Sequence, residues 1–205
     1  MPFEKTITVA LTGASGMPYA LRLIECLLAT HCRVYVLASQ AAAVVAKQEM
    51  DFTLPARAPE LQAFLSQRFN APPEQLQVFG REEWFAPIAS GSNPPDAMVV
   101  CPCTMSTLAA IAAGLADNLI GRAADVVIKE GRKLILVPRE TPFSAIHLEN
   151  MLKLARLGVV ILPANPGFYH HPQSVQDIVD FVVARILDQL AVPHHLLTRW
   201  GETEL

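Results

Sequence analysis

The sequence predicts an α/β fold built around a mostly parallel sheet, and two observations support this prediction. Apolar, β-branched runs alternate along the chain with stretches of helical periodicity, as in repeated βαβ units. Polar residues and glycines follow directly after the apolar runs, where open α/β sheets bind their ligands. With 205 residues, the chain is expected to form a single domain spanning residues 1–205.

Five apolar runs predict the strands of the sheet, at residues 6–12, 33–39, 97–102, 133–139 and 159–164. Helical spacing of apolar residues predicts helices near 17–29, 40–48, 104–114, 118–130, 144–156 and 174–190. Ser174 and Asp177 have the spacing of a capping box at the start of the last helix, and Gly131 follows the fourth as a C-cap would.

Residues 50–96 interrupt this rhythm because they are rich in proline and poor in strand signal. We expect an excursion from the sheet, with one helix over residues 59–69 and a short edge strand over 76–80. The tail, about residues 191–205, has too few apolar residues for a core of its own. Its Trp200 is expected to pack onto a neighbouring subunit or to cover a pocket.

Composition limits the classes of function. Hydrophobic residues make up 52% of the chain and charged residues 17%, more apolar than a lone domain needs, so we expect a homo-oligomer. No apolar run reaches the roughly 18 residues of a membrane-spanning helix. The net charge of −3 argues against nucleic-acid binding. The four cysteines suggest no disulfide framework, and with no signal-peptide pattern at the N-terminus this predicts a cytoplasmic protein.

The turn after the first strand, "LTGASGMPYALRL", resembles a nucleotide-binding turn without its full fingerprint. Its spacing is Gly13-x-x-Gly16, and Ser15 stands where the dinucleotide motif requires glycine. The second strand ends at Ser39, and no acid that could bind a ribose follows before Glu49. A dinucleotide is therefore disfavoured, whereas a mononucleotide or a phosphorylated substrate fits.

Residues with hydroxyl, charged or aromatic side chains follow every predicted strand. The third is followed by the hydroxyl-rich turn Thr104, Met105, Ser106 and Thr107, at a helix N-terminus that could bind an anion. Arg139 and Glu140 follow the fourth strand, and "NPGFYHHP", with Tyr169, follows the fifth. Any one of these loops is equally well explained as structural, but all five together favour a ligand crevice.

Basic residues on two predicted helices have two readings. Arg122, Asp125 and Lys129 share one face of "NLIGRAADVVIKE", either as a solvated stripe or as cations that face a phosphate at a subunit boundary. Arg185 interrupts the apolar run "FVVARIL", and its simplest interpretation is a surface arginine.

Several blocks of the chain resemble the UbiX (UbiX/Pad) family of flavin prenyltransferases, and the resemblance covers essentially residues 6–190. The most specific are "TGASG", "CPCTMSTLAAIAAG", "PRETPFSAIHLENM" and "PGFYHHPQS". One departure is "CPCTM", where the family more often has serine, but Thr104 keeps the hydroxyl.

The resemblance implies a single-domain, flavodoxin-like (Rossmann-like) three-layer sandwich that assembles into a homo-oligomer, typically a dodecamer, with FMN at the subunit interface. It implies transfer of a dimethylallyl group from dimethylallyl phosphate to N5 and C6 of reduced FMN. The prenylated FMN then passes to a UbiD-type decarboxylase, in many bacteria for ubiquinone biosynthesis.

The resemblance also implies site residues. The FMN ligands would be Gly13, Ala14, Ser15, Ser39, Thr104, Met105, Ser106, Thr107 and Arg139. The substrate-binding residues would be Arg122, Lys129, Tyr169, Arg185 and Trp200. Catalysis would depend on Ser15, Glu49, Lys129, Glu140 and Tyr169, with Glu140 in proton transfer and Glu49 beside the prenyl site. No metal is expected, because cationic donors can stabilise a monophosphate leaving group.

Two alternatives are weaker. A flavin-dependent cysteine decarboxylase would carry a catalytic histidine upstream of a P-A-S-A-N-T block, but residues 50–96 contain no histidine. A non-catalytic FMN carrier is usually strongly acidic, which this chain is not.

A metal site built from histidines is also disfavoured. The side chains of adjacent histidines point apart, so His170 and His171, or His194 and His195, cannot readily share one metal ion.

Overall fold

The computed structural model describes residues 2–198 and contains one six-stranded parallel sheet. The strands are β1 (Thr6–Leu11), β2 (Arg33–Ala38), β3 (Leu76–Phe79), β4 (Ala97–Cys103), β5 (Lys133–Pro138) and β6 (Val160–Ile161). Their order is β3-β2-β1-β4-β5-β6. Without β3 this is the order of flavodoxin-like folds, so the predicted fold class is confirmed, with β3 as an added edge strand.

Seven α-helices accompany the strands in the described part of the chain. They are α1 (Met17–Ala29), α2 (Gln40–Glu49), α3 (Ala58–Phe69), α4 (Met105–Ala112), α5 (Leu119–Lys129), α6 (Ala145–Arg156) and α7 (Val175–Leu190). None of these helices, all within residues 2–198, combines the length and the apolarity needed to cross a membrane. The excursion helix and edge strand predicted between residues 50 and 96 are confirmed as α3 and β3.

Helices cover both faces of the sheet, which gives three layers. One core cluster joins α1, α2, α3 and α7 to one face, and the other joins α4, α5 and α6 to the opposite face. Because both faces are buried, the central strands are apolar almost throughout, and β4 is buried over its whole length.

The last strand is shorter than predicted, since only Val160–Ile161 pairs as a regular ladder. The chain nevertheless continues beside β5, because Leu162 N donates to Leu136 O (2.9 Å) and Ala164 N to Pro138 O (3.3 Å). The next bond of the ladder would need an N–H from Pro138 to Leu162 O, and proline has none, which explains why the regular ladder stops before the apolar run does.

Helix boundaries follow the predicted capping chemistry. Ser174 and Asp177 form a reciprocal capping box at the start of α7, and Gly131 takes a φ of +64° just after α5. His147 lies in the first turn of α6. It completes a capping box with Ser144 at the start of α6.

Candidate functional site

Thr12 joins the ends of β1 and β4 at the point where the strand order reverses. Its Oγ1 donates to Pro102 O (2.8 Å) and accepts from Thr104 N (2.9 Å), and its own N–H donates to Pro102 O (3.2 Å). These bonds hold the loop after β1 against the turn after β4. Both therefore lie at the crevice where open α/β sheets bind ligands.

The loop after β1 needs its two glycines for different reasons. A Cβ on Gly13 would lie 2.4 Å from Ala41 Cβ, so the loop could not pack this closely against α2 with any other residue. Gly16 has a φ of +129°, which side-chain-bearing residues rarely adopt, and its Cβ would lie 2.9 Å from the Tyr19 ring. Between them, Ser15 is exposed.

Glu49, the last residue of α2, occupies the N-terminus of α1. Its carboxylate accepts from Gly16 N (3.1 and 2.9 Å to the two oxygens) and from Met17 N (2.9 Å). A helix N-terminus attracts negative charge because its first N–H groups lack intrahelical partners. In this protein a side chain already provides that charge, so the start of α1 is filled from within the fold.

The N-terminus of α4 is open by comparison. Thr104 Oγ1 caps it by accepting from Thr107 N (3.1 Å), and the same oxygen contacts Ser106 Oγ (3.0 Å) and Thr107 Oγ1 (2.9 Å). Within the described residues, no group accepts from the N–H of Met105 or Ser106. The turn thus offers two backbone donors and a cluster of hydroxyls, a donor set that suits the phosphate, ribityl or carbonyl oxygens of a flavin nucleotide.

The ends of β2 and β5 complete this edge of the sheet. Ser39 caps α2 by accepting from Ala42 N (3.2 Å), while Ser39 N donates to Leu11 O (2.9 Å). Arg139 is exposed directly after β5, and the half-buried Glu140 accepts from Thr141 N (3.2 Å). Neither Arg139 nor Glu140 forms an ion pair with any residue in the described part of the chain.

The predicted polar stripe on α5 lies elsewhere. Arg122 Nε donates to Ala89 O (2.9 Å) and Nη1 to Asp125 Oδ2 (2.8 Å). A Cβ on Gly91 would lie 2.5 Å from Lys129 Nζ, so the loop over residues 89–92 covers the stripe closely. Both cations therefore lie beside one loop in the connection between β3 and β4.

Lys129 is far along α5 from Arg122, seven residues and about 10 Å by helical rise. It ends α5 shortly before Lys133 begins β5 at the amino edge of the sheet, and it pairs with Glu130. Glu140, in contrast, follows the carboxyl end of β5. One copy of the chain therefore does not bring Lys129 and Glu140 together.

A third region surrounds a groove of about 350 Å³ between β6 and α7. Arg185 lines this groove with Phe181, and the Tyr169 ring contacts the Phe181 ring edge-on (5.8 Å between centroids). Gly167 permits this packing, because a Cβ there would lie 2.7 Å from the Tyr169 ring. The volume lies at the lower end of the range for small-molecule sites.

The structure therefore divides the predicted site residues into three groups. At the carboxyl edge of the sheet lie Gly13, Ala14, Ser15, Ser39, Glu49, Thr104, Met105, Ser106, Thr107, Arg139 and Glu140. The α5 stripe carries Arg122 and Lys129. Arg185 lines the β6–α7 groove, and Tyr169 packs on Phe181 in the wall of that groove. Trp200 lies outside the described residues.

Sequence reasoning missed two polar side chains in these regions. Thr12 is the last residue of the first predicted strand, and a hydroxyl directly before a glycine turn is a recognisable signal. His170 stacks on Phe181 (5.1 Å) with both ring nitrogens buried and without a hydrogen-bond partner in the described structure. No sequence pattern indicates that burial.

The cysteines of "CPC" are structural. Both Cys101 and Cys103 are fully buried in β4, and burial raises the pKa of each thiol, that of Cys103 to about 12. At neutral pH both are therefore protonated and unreactive. They pack the strand that leads into the α4 turn.

Comparison with known proteins identifies the family. The Flavoprotein family matches residues 2–187. The chain is 58% identical over 205 residues to the flavin prenyltransferase UbiX of Pseudomonas aeruginosa, covering 100% of this chain and 98% of that protein.

Two solved structures share the fold closely. AnUbiX, solved in complex with FMN and dimethylallyl pyrophosphate, aligns with a TM-score of 0.86 at 38% identity over 98% of this chain and 99% of that one. A dodecameric FMN-dependent UbiX-like decarboxylase from Escherichia coli O157:H7 aligns with a TM-score of 0.84 at 43% identity, over 96% and 99%.

Proposed function

Because this chain belongs to the UbiX family of flavin prenyltransferases, we propose that it transfers a dimethylallyl group from dimethylallyl phosphate to N5 and C6 of reduced FMN. The observation that carries the proposal is the pair of facing turns at the reversal of strand order, tied together by Thr12. One turn exposes Ser15, and the other offers hydroxyls and open backbone donors. Reduced FMN supplies the nucleophilic positions of the reaction.

The flavin would lie against the carboxyl edge of the sheet. Gly13, Ala14 and Ser15 would contact it from one side and the turn over residues 104–107 from the other, with Ser39 and Arg139 at the flanks. Glu49 supports this placement indirectly. Since its carboxylate already accepts from the N–H groups of Gly16 and Met17, we propose that the FMN oxygens bind elsewhere along the crevice.

The substrate phosphate would be bound by Arg122, Lys129, Tyr169 and Arg185. Arginine, lysine and a phenol donate charge-assisted hydrogen bonds, and these strengthen as the leaving oxygen gains negative charge. The phosphate therefore departs with its charge already neutralised. Arg185 lines the β6–α7 groove and the Tyr169 ring packs on Phe181 in its wall, which supports a common ligand for the two.

We propose that the complete site forms between copies of the chain. Lys129 is at the amino edge of the sheet and Glu140 follows the carboxyl edge, so neighbouring subunits would have to supply one to the other. A dodecamer is the assembly we propose, in line with the E. coli relative. Each copy, residues 1–205, would then contribute as one flavoprotein domain.

Glu140 would act as the base. Ring closure at C6 releases a proton, and a half-buried carboxylate without a cationic partner among the described residues is suited to accept it. Ser15 would stand beside it with a hydroxyl at the reacting edge. Glu140→Gln and Tyr169→Phe should therefore retain FMN and slow prenyl transfer.

The prenylated product would be received by a second protein. We propose that prenylated FMN passes to a UbiD-type decarboxylase, in ubiquinone biosynthesis or a related aromatic acid decarboxylation. We also propose a cytoplasmic site of action, where the four free cysteines stay reduced.

The test is anaerobic incubation of the purified protein with reduced FMN and dimethylallyl phosphate, followed by the mass of the released flavin. A gain of one five-carbon prenyl unit supports the proposal. Unchanged FMN, with dimethylallyl diphosphate also tried, contradicts it. Lys129→Leu provides a second readout, because it should weaken binding of dimethylallyl phosphate more than binding of FMN.

A further inference from the structure

Asp188, in the last turn of α7, connects two parts of the molecule. Its Oδ2 accepts from Arg185 Nη1 (2.7 Å), and its Oδ1 lies 3.1 Å from His194 Nε2. The carboxylate thus bridges an arginine that lines the β6–α7 groove and a histidine on the segment that leaves α7. Neither the sequence patterns nor the proposed site gives Asp188 a role.

The contact with His194 has a defined direction. Leu196 N donates to His194 Nδ1 (3.4 Å), so Nδ1 carries no hydrogen, and the hydrogen on Nε2 faces the Asp188 carboxylate. The His194 side chain is only 11% exposed. Leu196 and Leu197 pack against the core cluster that contains α7. Asp188 therefore anchors the start of the C-terminal segment.

The contact with Arg185 leaves most of that guanidinium available. Among residues 2–198 only its Nη1 finds an acceptor, and a guanidinium carries five N–H donors in a rigid plane. The Arg185 side chain is 54% exposed, so without Asp188 it would sample many rotamers. With Asp188 it keeps one orientation and still presents donors to the groove.

We infer that Asp188 is a positioning residue that orients Arg185 for the substrate phosphate and fixes the start of the C-terminal segment at the same time. The first half rests on the proposed function, because it assigns the phosphate to Arg185. The second half does not, since it concerns only the contacts of Asp188 with His194. The two halves can therefore be tested separately.

The first experiment is a double-mutant cycle on the purified assembled protein, with the Kd of dimethylallyl phosphate and of FMN as readouts. Asp188→Ala should raise the Kd of dimethylallyl phosphate about tenfold and leave that of FMN unchanged, because only an ordered side chain is lost. Asp188→Asn should fall between, since its amide oxygen still accepts from Arg185. Adding Asp188→Ala to Arg185→Ala should weaken binding no further.

The matched control is Glu25→Ala. Glu25 pairs with Arg22 at the same i,i+3 spacing on another helix (2.8 Å), so its loss reports the effect of any such pair. An unchanged Kd in Asp188→Ala overturns the positioning role. So does an effect that adds fully to that of Arg185→Ala, because Asp188 would then not act through Arg185.

The second experiment needs no substrate. Limited trypsin digestion, followed by mass, measures cleavage after Arg199 in the wild type, Asp188→Ala and His194→Ala. Cleavage should be several-fold faster in both variants and unchanged in Glu25→Ala. Equal rates in all four proteins overturn the anchoring role. If the wild type transfers no prenyl group but the two variants are cleaved faster, the proposed function fails and the anchor stands.

Discussion

Helices α1 and α4 begin beside each other where the strand order reverses. Both start with backbone N–H groups that lack intrahelical partners, but only at α1 does a carboxylate accept from them. At α1, Glu49 supplies a carboxylate to the N–H groups of Gly16 and Met17. At α4, Thr104 caps one N–H and leaves those of Met105 and Ser106 without a partner in the described structure. The fold thus closes one helix terminus to anions and keeps the neighbouring one available.

This difference explains why the opening turn departs from the dinucleotide fingerprint. In that motif the helix N-terminus binds a pyrophosphate, and the glycines allow the backbone to approach it closely. Here Gly13 and Gly16 serve contacts within the protein, with Ala41 and Tyr19. The turn is built to hold its own backbone in place and to present Ser15.

The largest effect is expected from the turn that leads into α1. Gly16→Ala should cost about 2–4 kcal/mol of unfolding free energy, because it adds both a disfavoured positive φ and a contact with the Tyr19 ring. Urea unfolding at fixed protein concentration measures this. Gly131→Ala is the control, since Gly131 has a φ of +64° but no atom within 4 Å of an added Cβ. Equal losses in the two variants would show that the Tyr19 contact contributes nothing.

The next largest effect is expected at the N-terminus of α4. Thr104→Val should raise the Kd of FMN by about tenfold to a hundredfold, because it removes the hydroxyl at the centre of the turn. Ser144→Ala removes an equivalent cap from α6, where Ser144 accepts from His147 N (3.2 Å), and should leave FMN affinity unchanged. Fluorescence titration of FMN measures both. Similar Kd changes in the two variants would mean that helix stability, not the turn, governs binding.

Glu49→Ala should reverse the difference between the two termini. Loss of the carboxylate should destabilise the protein by about 1–2 kcal/mol, since two N–H groups of α1 lose their partner. Inorganic phosphate should then raise the Tm of the variant more than that of the wild type, by binding the vacated terminus. If phosphate raises both Tm values equally, the first turn of α1 is no anion site even when Glu49 is removed.

The smallest effect concerns a third helix start, that of α7. The N–H of Gln173 and the hydroxyl of Ser174 hold the pKa of Asp177 below its usual value. Its stabilising contribution is therefore present above the unfolded-state pKa near 4 and is lost as the pH falls through the lower folded-state value. Asp177→Asn should flatten the acid limb of a stability–pH profile, and an unaltered limb would contradict this assignment.

Much of this arrangement follows from local sequence, and the rest depends on packing. The alternation of strands and helices, the capping box at Ser174 and the hydroxyl turn after β4 are all local patterns. The contact of Glu49 with the start of α1 is not a local pattern. It joins residues more than 30 positions apart and forms only when α2 lies beside the start of α1. The separation of Lys129 from Glu140 likewise depends on which edge of the sheet each one faces.

The contrast between the two helix termini is tested most directly by a crystal structure of the protein with FMN bound. We predict oxygens of FMN within about 3 Å of the N–H groups or hydroxyls of the turn over residues 104–107, with the Glu49 carboxylate still on Gly16 and Met17. An FMN oxygen on the N–H groups of Gly16 and Met17, with Glu49 displaced, would contradict this prediction. The first helix would then be the anion site after all.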